Sequence, residues 1–215
     1  MTLHRSLAAP ALVAALALSV RQHASAQDTL PNAAAVARAR ADSVRYPWTA
    51  ADALFMSSMI GHHAQAIVMS RLVPTHGANA AVQRLAERII NAQQDEITTM
   101  QRWLRSRGQP VPSAHPDSGG HAMHHTTLMS GMLTDAQLHE LGQARGAEFD
   151  RLFLRGMIQH HRGAVAMVNA LFATHAAGQD ETVFKFASDV QIDQITEISR
   201  MQRLLVALTL GLPVE

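Results

Sequence analysis

Two histidine pairs stand in nearly the same surroundings: Met59-Ile60-Gly61-His62-His63-Ala64-Gln65-Ala66-Ile67-Val68-Met69 and Met157-Ile158-Gln159-His160-His161-Arg162-Gly163-Ala164-Val165-Ala166-Met167. In each copy a methionine precedes the first imidazole by three residues and another follows it by seven. Thioether with imidazole is a soft to borderline ligand set that suits Cu(I), and Ag(I) by the same chemistry, whereas hard ions want carboxylate and carbonyl oxygen. Zn(II) could use the imidazoles but gains little from thioether.

A helix is the element that would position these groups. Asp52, Phe55, Met59, His62, Ala66, Met69 and Val73 step by three and four and so form one stripe, as do Asp150, Phe153, Met157, His160, Ala164, Met167 and Leu171. The second histidine of each pair lies about 100° round the helix. It falls on another apolar row, Met56, Ile60, His63 and Ile67 in one copy and Leu154, Ile158, His161 and Val165 in the other. A single histidine there would ordinarily be a satisfied core residue, and methionine at this spacing ordinarily fills gaps. Four histidines in two copies of one Met-flanked pattern favour ligation over packing. The repeat also extends upstream, since Asp52, Leu54 and Phe55 recur as Asp150, Leu152 and Phe153 at the same offset of 98.

The N-terminus has another purpose. Arg5 precedes an apolar run over residues 7–20, and Ala24-Ser25-Ala26 offers a small-residue cleavage site, so residues 1–26 read as a secretory signal peptide. The run is too short to be a membrane span, and with no cysteine there is no lipoprotein anchor. The expected location is periplasmic or secreted, with no stable membrane anchor after cleavage. Roughly 190 residues then remain, enough for one well-filled core. Charged residues are 16% of the chain and the formal net charge is +1, which gives no basic face for nucleic acid and argues against electrostatic partners. Zero Cys excludes disulfides and thiolate ligands, leaving carboxylates, 13 His and 11 Met as the ligand chemistry.

Along the chain, residues 27–48 form an N-terminal extension, helical before the Tyr46-Pro47-Trp48 break, and a bundle occupies 49–215. Its first repeat, 49–108, opens on Thr49 with Asp52 as a capping box and stops its first helix at Pro74 and Gly77. A second helix over about 79–107 carries an inward stripe of Val82, Ala86, Ile89, Gln93, Glu96, Met100 and Leu104. The last helix, over about 180–210, repeats it as Val183, Ala187, Val190, Gln194, Glu197, Met201 and Leu205. Gln93, Glu96 and Met100 thus recur as Gln194, Glu197 and Met201, which makes the polar pairs candidates for orienting ligating imidazoles through their free nitrogens. Direct Glu ligation stays open. The linker, 109–133, is rich in Pro, Ser, Gly and His through residue 131 and has no helical or strand period there, so an unpacked, mobile segment is expected. Its His115, His121, Met123, His124 and His125, with Met129 and Met132, could collect metal weakly. The second repeat, 134–211, begins with a short helix capped by Thr134 and Gln137.

Four long helices in two similar hairpins predict an all-α, four-helix bundle. A diiron centre would require Glu-x-x-His pairs, and no acidic residue lies three positions before either histidine of a pair. The chain resembles the bacterial domain-of-unknown-function 305 family. The resemblance rests on Met59-Ile60-x-His62-His63, on Gln93-x-x-Glu96-x-x-x-Met100-x-x-Trp103-Leu104, on Met129-Ser130-Gly131-Met132, and on the run from Gly146 to Ala164, and it spans about residues 49–205. It implies an exported, ferritin-like helical bundle that binds metal, usually copper, and it implies no reaction. The second repeat has Leu204 where the first has Trp103, and residues 192–195 are less polar than 91–94, so the resemblance leaves the equality of the two sites open.

The sequence therefore supports a copper-binding protein, Cu(I) preferred and Cu(II) or Ag(I) accepted, that buffers, sequesters or exchanges the ion with a donor or acceptor protein. Its expected metal residues are Met59, His62, His63, Met69, Met100, Met157, His160, His161, Met167 and Met201. A ferritin-like oxidase would instead turn over O₂ or peroxide, and a structural or interaction bundle would bind no metal.

Overall fold

The computed structural model describes residues 47–114 and 128–213. The expected signal peptide, the extension up to residue 46, and His115, His121, Met123, His124 and His125 lie outside the described residues. Five α-helices and one 3₁₀ turn make an all-α bundle, with no strand among the described residues.

Helix α1, Ala50–Leu72, starts at the capping box that Thr49 and Asp52 form and runs into a 3₁₀ turn, Val73–Thr75, with Pro74 in its first turn. Gly77, at φ +69°, turns the chain towards α2, Ala80–Ser106, whose first turn is capped by Asn79. Thr134 and Gln137 cap the short α3, Asp135–Gln143. Helix α4 is Gly146–Ala173 and α5 is Glu181–Leu210. The four long helices form two hairpins, α1 with α2 and α4 with α5, joined chiefly by α1 packing on α4. No described helix is long and apolar enough to cross a membrane.

The aspartates that open the two motif stripes tie the hairpins together reciprocally. Asp52 on α1 accepts from the backbone N–H of Gly178, in the loop of the second hairpin, at 2.7 Å. Asp150 on α4 accepts from the backbone N–H of Asn79, in the loop of the first, at 3.1 Å to each oxygen. Both carboxylates are buried, and burial pushes that of Asp150 up while the Asn79 hydrogen bond opposes the shift.

Asp180 concentrates several such contacts. It caps α5 by accepting from Thr182 and Val183 N–H, accepts the Trp103 indole N–H at 3.2 Å, and pairs with Arg107 at 2.6 Å. Replacing Asp180 by Ala is expected to cost about 3 kcal/mol, combining a lost cap with an indole donor left unsatisfied in a buried site. The urea midpoint measures this; a shift worth under about 0.5 kcal/mol, the range of an ordinary surface change, would show that these contacts add nothing.

Candidate metal centre

All four motif histidines are fully buried. His62 and His160 meet where α1 packs on α4, with ring centroids 3.9 Å apart and planes tilted by 39°. His62 Nε2–H donates to the Ser130 carbonyl at 3.0 Å, and His160 Nε2–H donates to the His62 carbonyl at 2.8 Å. A carbonyl only accepts, so Nε2 bears the hydrogen on both rings. A neutral imidazole has one N–H, so each Nδ1 holds a lone pair. Burial, helped by neighbouring His63 and His161, pushes His62 down to about 3 against the opposing Ser130 hydrogen bond. Burial again, followed by the three other histidines, pushes His160 well below its usual value. Both rings are therefore neutral near pH 7.

The outer rings meet carboxylates. His161 Nε2–H donates to Glu197 Oε2 at 2.7 Å. His63 Nε2 approaches Glu96 Oε2 equally closely, but the alignment is too poor for a hydrogen bond. Gln93 and Gln194 are buried nearby in sequence, and both amide atoms of Gln93 and the Gln194 oxygen lack hydrogen-bond partners. Beside the two glutamates stands Asp193, whose carboxyl is pushed up by partial burial and by the negative charges of Glu96, Glu197 and Asp189. The repeat does not single it out, because its counterpart at offset 101 is Ala92.

The methionines divide in a way that the linear motif conceals. Met59, Met100 and half-buried Met167 belong to one apolar cluster, whereas Met69, Met157 and Met201 belong to another. Of these six, each cluster thus takes two from one repeat and one from the far end of the other repeat's motif helix, and buried Met56 also lies in the first cluster. All six are buried except Met167. The grouping of Met59 with Met69, natural when the motif is read along one helix, is not how the core is arranged.

The expectation of an unpacked linker over 109–131 is corrected at both described ends: Val111 and Ala114 pack on an apolar cluster of the core, and the C-terminal end presses on the motif helices. Gln65 grips Leu133 through both backbone groups, accepting from its N–H at 2.8 Å and donating to its carbonyl at 3.0 Å. Gly131, at φ +75°, lies so close to α4 that a Cβ there would fall 2.5 Å from the Gln159 carbonyl. A Cβ on Gly163 would fall 1.9 Å from the Ser130 carbonyl. Two glycines therefore let the chain press onto α4 and deliver the carbonyl that orients His62. The segment lacks a period because backbone contact, not a side-chain stripe, holds it.

The fit to a metal ion rests on orphaned atoms. Nδ1 of His62, His63, His160 and His161 is in every case buried without a hydrogen-bond partner, where an unpaired polar atom is costly. Among the described residues, no three His, Asp or Glu side chains converge on a point where an ion could sit. Any ion held by these imidazoles would need other donors to complete its shell, and the core supplies buried thioethers together with the unpartnered amide oxygens of Gln93 and Gln194.

The family model described as "Domain of unknown function (DUF305)" matches residues 52–205. Among solved structures, the chain is similar to a DUF305 fragment from Deinococcus radiodurans, at 28% identity and TM-score 0.63, covering 74% of this chain and 97% of that one. It is also similar to a DUF305 protein of Streptomyces coelicolor described as a candidate secreted protein, at 31% identity and TM-score 0.61, covering 77% and 96%. A third similar structure is CopM in its Cu(I)-bound form, at 30% identity and TM-score 0.54, covering 73% and 95%. CopM also matches in Cu(II)-bound, Ag-bound and apo forms. The comparison with curated proteins gave no match.

Proposed function

The chain belongs to the DUF305 family, and on that premise we propose that it is an exported copper-binding protein that holds Cu(I) to buffer, sequester or transfer it. The observation that supports this most is the set of four buried imidazoles, each with Nε2 against an oxygen and Nδ1 unpartnered, beside two thioether clusters. The residues that would hold the ion are His62, His63, His160 and His161 with Met59, Met100 and Met167 on one side and Met69, Met157 and Met201 on the other. Soft sulfur with borderline nitrogen favours Cu(I), with Ag(I) as its mimic and Cu(II) accepted less well. Copper-bound and silver-bound CopM structures are consistent with this reading.

Titration of the purified, metal-free protein with Cu(I), Cu(II) and Zn(II) tests the proposal. Cu(I) should bind most tightly. Absence of Cu(I) binding by folded protein would favour the structural bundle, and turnover of O₂ or peroxide by metal-loaded protein would favour the oxidase.

Glu96 and Glu197 act in this reading on the imidazoles and not on the ion, since carboxylate is a poor partner for Cu(I). Loss of such supporting partners typically weakens metal binding by roughly 10- to 100-fold. The Glu96→Gln/Glu197→Gln protein should show that loss, with a changed pH dependence. Abolished binding would make the carboxylates ligands themselves and revive an oxidase; no effect would make them ordinary solvated residues.

A further inference from the structure

Charge is evenly balanced over the whole chain, but not where α2 meets α5. There a cavity of about 320 Å³ is lined by Arg84 and Arg88 from α2 and Arg200 and Arg203 from α5, over a floor that includes Leu85 and Leu204. Among the described residues, no carboxylate forms an ion pair with any of the four, although Arg107, Arg151 and Lys185 each have an acidic partner. Like charges at i,i+4 (Arg84 and Arg88) and i,i+3 (Arg200 and Arg203) destabilise their helices, so this arrangement does not serve the fold.

The internal repeat provides a control. At offset 101, Arg84 and Arg88 correspond to Lys185 and Asp189, which form an i,i+4 ion pair. Arg200 and Arg203 correspond to Thr99 and Arg102. The four repeat-related positions, again two on α2 and two on α5, thus carry a net charge of +1 where the cavity carries +4, and the cluster is not a by-product of the duplicated architecture.

We propose that this cavity is a binding site for a small organic anion bearing two or three acidic groups, either carboxylates or a phosphate ester. Guanidinium forks pair bidentately with carboxylate and phosphate oxygens, and ligand pockets of about 300–1,000 Å³ suit small molecules. The apolar floor selects an anion with a carbon body over a bare inorganic ion. None of the proposed metal residues lines the cavity, although Leu85 in its floor belongs to the apolar cluster that holds Met69, Met157 and Met201, and the proposal stands whether or not copper is the metal.

Calorimetric and thermal-shift titrations of the metal-free full chain, at fixed ionic strength, would use tricarballylate, glycerol 2-phosphate and inorganic phosphate as probes. Saturable one-to-one binding of an organic probe is expected, and which one binds distinguishes the carboxylate source from the phosphate-ester source. Binding should weaken by at least about tenfold in Arg84→Gln/Arg88→Gln and in Arg200→Gln/Arg203→Gln. It should persist in Arg71→Gln/Arg102→Gln, which changes charge equally away from the cavity; all four arginines that line it are exposed, so circular dichroism should stay helical. The proposal is overturned if neither organic probe saturates, if the control pair weakens binding as much, or if inorganic phosphate binds as tightly.

Discussion

Acidification from pH 7 to pH 4 is expected to remove several kcal/mol of stability from the metal-free protein. His62 titrates at about 3 when folded and near 6.5 when unfolded. Below about pH 6.5 the unfolded chain therefore binds a proton that the folded chain refuses, and stability falls as pH falls. The loss spans pH 6.5 down to 3 and reaches about 3 kcal/mol by pH 4 for His62 alone. His160, also depressed, adds in the same direction. Asp150 and Asp193, whose carboxyls are raised, act with the opposite sign, so the contrast between wild type and His62→Gln isolates the histidine. Urea midpoints at pH 7, 5.5 and 4 should converge between the two proteins on acidification. Parallel lines would mean that His62 is not buried neutral.

Replacing Gly163 by alanine should be the most damaging single methyl addition in the bundle. Its Cβ would occupy space 1.9 Å from the Ser130 carbonyl and 2.6 Å from Gly131 Cα, both backbone atoms that no rotamer change can move. Overpacking of this kind costs about 1–3 kcal/mol, and displacement of Ser130 would also leave His62 Nε2–H without its acceptor. We expect a loss of about 3 kcal/mol, or roughly 10 °C in Tm for a chain of this size. Gly142 in α3 makes the contrast, because a Cβ there meets nothing within 4 Å. Alanine at Gly142 should stabilise by about 0.5–1 kcal/mol through helix propensity. If the two glycine substitutions behave alike in thermal melts, the Ser130–Gly131 segment does not pack on α4 as described.

Most of the fold could be read from periodicity. The stripes that contain Met59 and Met157 are buried from Asp52 to Val73 and from Asp150 to Leu171, with Met167 half-exposed. Thr49 and Thr134 form the capping boxes that their spacing to Asp52 and Gln137 suggests. What stayed hidden depended on pairs far apart in sequence. Nothing local says that Asp52 will hold Gly178, or that the carbonyl beside His62 will come from Ser130, because a backbone acceptor has no residue signature. The only trace was Gly131 and Gly163, two glycines inside otherwise specific motifs. Likewise, the offset of 98 reveals that Met59 and Met157 are equivalent, but a repeat cannot disclose that the two hairpins exchange Met69 and Met167 between their clusters. Asp193 had no chance of detection from the repeat, being present in one copy alone.

The most direct test of copper binding by this core is a Cu(I) competition titration against a chromophoric chelator, run on three proteins: wild type, Met59→Leu/Met100→Leu/Met167→Leu, and Met69→Leu/Met157→Leu/Met201→Leu. Methionine to leucine conserves volume and usually costs under about 1.5 kcal/mol per site, so helical content at moderate temperature should hold in both variants. Each triple variant should lose Cu(I) affinity or stoichiometry by about tenfold or by one equivalent, while Zn(II) binding, which has little use for thioether, should stay as it was. Unaltered Cu(I) binding in both folded variants would contradict the assignment of the methionine clusters as the copper site.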